Sequence, residues 1–276
     1  MPPDLPMPPD LIVVPARYGS TRLPGKPLLP IAGRSLLERV VAVARVAAAQ
    51  AGNCAVVVAT DDARIADHAQ AIGVQAVMTP ENCNSGSSRA CAAALAQAER
   101  PGLVINLQGD APFVPPAVVA GLIAVLREGQ ADVATPVYPL DWARLDALRA
   151  HKQAAPFSGT TCLRAEDGRA LWFSKVIVPA LRDEDALRKA APLSPVWQHL
   201  GLYGYRMEAL EWFGAAPMGR YEALEGLEQL RFLEAGRAIA TLPIDPPSHA
   251  MSGIDTPADL ALAEATIARL GDPFPA

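Results

Sequence analysis

Long apolar runs are missing from this chain of 276 residues: although 51% of it is hydrophobic, no stretch reaches the roughly 18 apolar residues of a membrane span. No targeting sequence is legible either. Met1 to Asp10 is proline-rich, without a cationic start or an apolar core, and is expected to be a flexible tail. Cysteine is scarce. The four present (Cys54, Cys83, Cys91, Cys162) show no Cys-x-x-Cys spacing, which argues against a metal cluster or disulfide framework and for reduced thiols of a cytoplasmic protein. There is no excess of positive charge: 24 Lys and Arg stand against 29 Asp and Glu, so no global basic surface exists for nucleic acid. No internal repeat is visible. Length and apolar content suit one compact domain over residues 11–276, or one with a sizeable insertion.

What is there begins at Leu11. Leu11 to Val14 reads as a short, fully buried strand. It runs into Pro15-Ala16-Arg17-Tyr18-Gly19-Ser20-Thr21-Arg22-Leu23-Pro24-Gly25-Lys26, where prolines and glycines break any regular pattern and cations crowd together. A buried strand ending in a basic, glycine-containing loop is a cradle for phosphate, and on an acidic protein it points to a small anionic ligand. It is not a P-loop: five residues separate Gly19 from Gly25, and Pro27 stands where the magnesium-binding hydroxyl belongs. Nor is there a Gly-x-Gly-x-x-Gly after the first strand. Any magnesium must therefore find its ligands elsewhere.

Downstream, Ser35 to Gln50 carries apolar residues at helical spacing, with Ser35 as N-cap and Glu38 completing a capping box. Cys54 to Ala59 is a second buried strand, followed by a helix to Ile72 and a strand over Val74 to Met78. Ser85 to Arg100 is predicted as a helix, Leu103 to Leu107 as a strand ending at Gln108-Gly109-Asp110, and Val114 to Arg127 as a helix. Alternating strands and helices mean βαβ units and a mostly parallel sheet, with ligands beyond the carboxyl ends of the strands. Three chemically loaded strand ends (Arg17 to Lys26, Thr60-Asp61-Asp62, Gln108-Gly109-Asp110) are thus expected on one rim. The pattern then changes. From about 135 to 215 we expect an antiparallel excursion carrying a dimer contact and a substrate wall, with a hairpin about Glu166-Asp167-Gly168, a charged irregular stretch from Arg182 to Pro195, and a strand over Leu200 to Tyr205. Tyr221 to Glu234 reads as helix, Ile239 to Pro243 as strand and Pro257 to Leu270 as helix.

Several residues carry candidate chemistry. Asp110, at a strand end, suits a hard cation or else caps the next helix. Asp255 precedes the Thr256-Pro257-Asp259 cap signal and either serves the helix start or joins Asp110 on one magnesium. His199, Tyr203 and Tyr205 fall on one strand face by period two, with Arg206 on the other. That face suits a hydroxylated ligand or a subunit contact. In Tyr221 to Glu234, Glu225 with Glu228 and Glu228 with Arg231 read as helix neighbours on a solvated face.

Together these segments resemble the 3-deoxy-manno-octulosonate cytidylyltransferase (CMP-Kdo synthetase) family along nearly the whole chain. The matching segments are Pro15 to Leu28, Val58-Ala59-Thr60-Asp61, Ser85-Gly86 with Arg89, Gln108-Gly109-Asp110, Phe173-Ser174, His199 to Arg206, Leu227 to Arg231 and Gly253 to Pro257. The resemblance implies a Rossmann-like three-layer α/β/α nucleotidyltransferase fold, and magnesium-dependent transfer of CMP from CTP to a sugar acid, in lipopolysaccharide biosynthesis, by a cytoplasmic homodimer. It implies that Arg17 and Lys26 hold the triphosphate with Ser20 nearby, that Arg89 and Gln108 line the nucleotide pocket, and that Asp110 and Asp255 ligate Mg2+. Arg182, His199, Tyr203, Glu228 and Gln229 would face the sugar acid. The chain departs from the family pattern at Asn84, at Ser88 (usually acidic) and at Ala111 (usually glutamate). These departures keep two alternatives open: a different acceptor such as a phosphonate, and a catalytically silent nucleotide-binding regulator, against which the survival of both aspartates argues.

Overall fold

The computed structural model describes residues 8–19, 23–246 and 253–272. Ser20 and the tail before Pro8 lie outside them. In chain order the elements up to the middle of the chain are β1 (Asp10–Pro15), β2 (Pro30–Ile31), β3 (Arg34–Ser35), α1 (Leu36–Ala51), β4 (Cys54–Thr60), α2 (Ala63–Ala71), β5 (Gln75–Met78), α3 (Gly86–Leu95), β6 (Leu103–Asn106), α4 (Pro116–Glu128) and β7 (Val133–Asp141). They are followed by α5 (Trp142–Ala154), β8 (Thr160–Arg164), β9 (Ala170–Ser174), α6 (Glu184–Ala190), β10 (Leu193–His199), β11 (Tyr203–Arg206), α7 (Met207–Ala215), α8 (Arg220–Glu225), α9 (Gln229–Glu234), β12 (Ile239–Pro243) and α10 (Pro257–Leu270). The chain makes a mixed α/β fold of two compact units: Met1–Ala124, Gly204–Gly214 and His249–Ala276 form the first, and Val125–Tyr203 with Ala215–Ser248 the second.

In the first unit, Leu11 to Val14 are all fully buried because β1 has a parallel strand on each side. It pairs with β4 from Asp10↔Cys54 to Pro15↔Ala59, and with β6 from Leu11↔Val104 to Val13↔Asn106. The strand order is β5-β4-β1-β6, with β11 beside β6. The chain thus winds outward through β4 and β5, then returns to the other side of β1. That makes the gap between the carboxyl ends of β1 and β6 a topological switch point, where open α/β sheets bind ligands. Helix α1 buries Leu36, Leu37, Val40, Val41 and Val43, and each such side chain contributes about 1.5–3 kcal/mol on leaving water. Ser35 caps it as expected, its Oγ accepting the Glu38 N–H at 3.0 Å, but the capping box is not completed: Glu38 Oε1 accepts from Arg34 Nε at 3.1 Å.

In the second unit the pairings are mainly antiparallel. β7 pairs with β10 (His199↔Val137), β10 with β8 (His199↔Thr160) and β8 with β9, while β12 runs parallel on β7. The β8–β9 hairpin turns at the predicted Glu166-Asp167-Gly168. Four further expectations are corrected by the structure. The stretch after β7 contains two helices, α5 and α6, whose polar composition hid them: only Leu145 of α5 is fully buried, packing with Leu140 and Val196, and α6 buries nothing completely. His199 does not share a strand with Tyr203 and Tyr205. It ends β10, and Leu200 to Leu202 turn the chain before β11, so period-two counting does not apply across them. The predicted helix over Tyr221 to Glu234 is two, broken at Gly226, whose φ of 64° is left-handed. The break ends the helical spacing between Glu225 and Glu228. Arg231 pairs instead with buried Glu222 through two bonds of 2.6 Å. Helix α3 also stops at Leu95, five residues short of the predicted Arg100. Among the described residues no helix is long and apolar enough to cross a membrane.

Candidate active site

At the switch point of the first unit, Arg17, Lys26, Arg89, Gln108, Asp110 and Asp255 line one pocket of about 230 Å³, together with Cys83 to Gly86. Six residues singled out from the sequence are thereby brought together from four separate segments. β1 ends at Pro15 and hands over Arg17, which is exposed and makes no hydrogen bond or ion pair among the described residues. Lys26 opens a single 3-10 turn (Lys26–Leu28) in which Pro27 is buried, so the proline halts an α-helix without preventing a turn. Its ammonium donates to Asp110 Oδ2 at 2.8 Å and to Asp255 Oδ1 at 3.0 Å.

The backbone explains why both carboxylates are free to point there. Thr256, not Asp255, caps α10: its Oγ1 accepts the Asp259 N–H, and Asp259 Oδ2 accepts the N–H groups of Asp255 and Thr256 at 3.0 and 2.8 Å. The helix-serving alternative therefore falls on Thr256 and Asp259. Ile254 N–H donates to the Asp110 carbonyl at 2.9 Å, tying the two acidic segments together. A Cβ at Gly253 would stand 2.8 Å from Asp110 Cγ, so only glycine permits this approach. Two carboxylates and one ammonium sum to −1, and they supply hard oxygen donors on converging segments. Magnesium is commonly held by one or two carboxylates plus substrate phosphates, so the residues present fit that ion.

Arg89 of α3 is buried, with its side chain only 4% exposed. Its Nη1 donates to Thr79 Oγ1 and its Nη2 to Asp61 Oδ2, both at 2.6 Å. Asp61, a strand-end residue given no role from the sequence, is thus the counter-charge that keeps Arg89 in place. The signal that pointed to it was only its position after β4. Ser88 is also explained. It is the N3 residue of the α3 capping box, its Oγ accepting the Ser85 N–H at 3.0 Å while Ser85 Oγ accepts the Ser88 N–H at 3.2 Å. The acid usual at this position has the same capping chemistry, so its replacement removes no pocket charge that the cap requires. Ala111 lies in a turn, its N–H on the Gln108 carbonyl. Asn106, fully buried at the end of β6, reaches Ser87 Oγ at 3.5 Å and leaves its Oδ1 without a hydrogen-bond partner among the described residues.

The second unit contains the remaining predicted residues. The His199 ring lies 5.0 Å from that of Phe173 and 5.4 Å from that of Tyr203. Thr135 Oγ1 donates to the Leu202 carbonyl at 2.8 Å, so its lone pairs accept from His199 Nε2–H at 2.8 Å, which assigns the neutral tautomer with Nδ1 as acceptor. Burial, then the nearby charge of Lys175, push the His199 imidazole down to about 3. Lys175 was missed in the sequence, where it merely follows Phe173-Ser174. Burial lowers its own ammonium, and the Glu225 charge opposes that. Gln229 is buried, and its Nε2 has no hydrogen-bond partner among the described residues. Glu228 is half-buried just before α9. Arg182 is exposed, and among the described residues no hydrogen bond or ion pair joins it to His199, Tyr203, Glu228 or Gln229. None of the four cysteines forms a disulfide among the described residues, and burial drives the Cys162 thiol up to about 12, so it is inert as a nucleophile.

A family model described as cytidylyltransferase matches residues 11–239. The 3-deoxy-manno-octulosonate cytidylyltransferase of Maricaulis maris (strain MCS10) is 42% identical over 263 residues, covering 95% of this chain and 98% of that protein. That of Xanthomonas campestris pv. campestris (strain 8004) is 42% identical over 262 residues, covering 94% and 99%. A solved structure of CMP:2-keto-3-deoxy-manno-octonic acid synthetase complexed with CTP is 34% identical, superposes with a TM-score of 0.80, and covers 95% of this chain and 99% of its own.

Proposed function

This chain belongs to the 3-deoxy-manno-octulosonate cytidylyltransferase family, and we propose that it transfers CMP from CTP to 3-deoxy-manno-octulosonate (Kdo), releasing pyrophosphate. A hydroxyl oxygen of the acid attacks the α-phosphorus of CTP. The new oxygen–phosphorus bond forms as the bond to the bridging oxygen breaks, and pyrophosphate leaves with that oxygen. The reaction asks the protein mainly to position reactants and neutralise charge.

The observation that carries this reading is the Lys26 ammonium set between Asp110 and Asp255 in a switch-point pocket that Arg17 also lines. In it Arg17 and Lys26 neutralise the triphosphate, Arg89 and Gln108 line the nucleotide, and Asp110 and Asp255 would hold magnesium. Bound magnesium would neutralise phosphate charge and acidify the attacking hydroxyl. The acid is recognised by residues of the second unit: His199 Nδ1 accepts from a hydroxyl, Tyr203 packs beside it, and Lys175 offers a counter-charge to a carboxylate. Glu228 and the buried Gln229, whose Nε2 has no hydrogen-bond partner among the described residues, complete the set, with Arg182 as a further cation. The relatives above carry the sugar-acid name, which favours Kdo over a phosphonate, and the capping role of Ser88 removes one motive for either alternative. A homodimer is supported by exposed apolar side chains of the second unit, among them Phe157, Val176 and Leu224. We place this single cytidylyltransferase domain in the cytoplasm, with neither nucleic acid nor membrane as partner.

Pyrophosphate release from CTP, measured with Kdo, other 2-keto sugar acids and phosphonates, with and without magnesium, tests the reading. Kdo with magnesium is expected to be fastest. CTP binding without turnover of any acid would sink it, and preference for a phosphonate would replace the acceptor.

A further inference from the structure

Tyr18 follows Arg17 in the phosphate loop, and three contacts converge on it. Its carbonyl accepts the Gly25 N–H at 3.1 Å, which ties the residue after Arg17 to the residue before Lys26. Its phenol end lies against Gly25, where a Cβ would stand 3.2 Å from Cε2, Cζ and Oη. Over the ring, 3.3 Å from its centroid, lies the guanidinium carbon of Arg64. Arg64 belongs to the first turn of α2, and it is not left to wander. Its Nε and Nη2 donate to Asp62 Oδ1 and Oδ2 at 2.9 and 2.6 Å, a two-point grip that fixes the plane of the guanidinium. Asp62 is itself held, its Oδ1 accepting the Arg64 N–H at 2.9 Å to cap α2. The Asp62 carboxylate also cancels the charge that Arg64 would otherwise add beside Arg17 and Lys26. The result is a rigid bracket from the end of β4 to the ring at the base of the loop.

We propose that Arg64, laid on the Tyr18 ring and oriented by Asp62, is a positioning residue for the triphosphate: it holds Tyr18 against Gly25, the contact that sets Arg17 and Lys26 toward one ligand. This rests on the cytidylyltransferase reading. Two cations that must be brought together at each binding event lose affinity for the ligand they grip, and a pair already held together does not. Arg64 itself touches no other residue of the pocket through a described hydrogen bond, and its side chain is 59% exposed, so truncating it removes the bracket without emptying the core.

The test is steady-state pyrophosphate release with CTP and Kdo varied in turn, for the wild type, Arg64→Ala, Tyr18→Leu and the double variant, with melting temperatures alongside. Arg64→Ala is expected to raise the KM for CTP about three- to tenfold, the range that a cation–ring contact supplies, while the KM for Kdo and the melting temperature stay put. Tyr18→Leu should raise the KM for CTP at least as much, and adding Arg64→Ala to it should cost nothing further, because the ring that Arg64 acts through is gone. An unchanged KM for CTP in Arg64→Ala, or additive effects in the double variant, overturns the inference while leaving the reaction standing. A wild type that neither binds CTP nor releases pyrophosphate overturns both.

Discussion

Replacing Asp61 by alanine is the sharpest test of how the nucleotide pocket is held. Arg89 is 4% exposed at its side chain and has two described partners, the Asp61 carboxylate and the Thr79 hydroxyl, each at 2.6 Å. Removing the carboxylate leaves a buried guanidinium with one neutral acceptor. Stranding one member of a buried ion pair costs about 3–5 kcal/mol, much of it the unmet desolvation of the survivor. For a protein of this size that corresponds to a fall in melting temperature of about 10 °C. Asp61→Asn, which keeps an acceptor and loses the charge, should fall between wild type and alanine. The double variant Asp61→Leu with Arg89→Met should recover most of the stability, since two apolar groups strand nothing, yet it should not recover CTP binding. Differential scanning calorimetry and titration with CTP separate the two effects. A melting temperature for Asp61→Ala within about 2 °C of wild type would refute the reasoning, because it would mean that the guanidinium is solvated or paired elsewhere.

Other outcomes follow from the same geometry. Asp110→Asn and Asp255→Asn should each raise the magnesium concentration for half-maximal activity by at least about tenfold, since losses one shell further from a metal already cost about 10–100-fold; metal titration of turnover checks this. His199 titrates near 3 when folded and near 6.5 when unfolded, so between those values the unfolded chain binds the extra proton. Stability should therefore fall as pH drops through that window, by at most about 1.4 kcal/mol per unit from this group, and His199→Gln should flatten the slope in pH-dependent denaturation. Catalysis should show no inflection from His199 near pH 6.5. Leu224→Glu, at a side chain 71% exposed, should shift a dimer toward monomer in light scattering while leaving the melting temperature of the monomer unchanged.

Local signals in the sequence were reliable where a few neighbouring residues decide the outcome. The Ser35 cap, the hairpin at Glu166-Asp167-Gly168 and the Thr256-Pro257-Asp259 helix start all formed as read, because each is closed by hydrogen bonds within a few positions. Reading failed where burial was the deciding term. Helices α5 and α6 carry thin apolar stripes that only their packing reveals. His199 and Tyr203 looked like one strand, and their rings do meet, but across a turn rather than along a face. Ser88 looked like a lost acid, yet it occupies the same cap by a hydroxyl. Asp61 and Lys175 acquire meaning only from what lies beside them in space.

The chain by itself determined that a buried strand ends in a cationic loop, and that acidic residues stand at another strand end and before a helix cap. These are properties of short segments, set by backbone sterics and side-chain type. That Lys26 would lie between Asp110 and Asp255, 84 and 229 residues away, was decided by tertiary structure alone. Charge attraction does not choose its partners along a chain. The winding of β1, β4, β5 and β6 places those segments at one sheet edge, and only then does a lysine find two carboxylates within 3.0 Å.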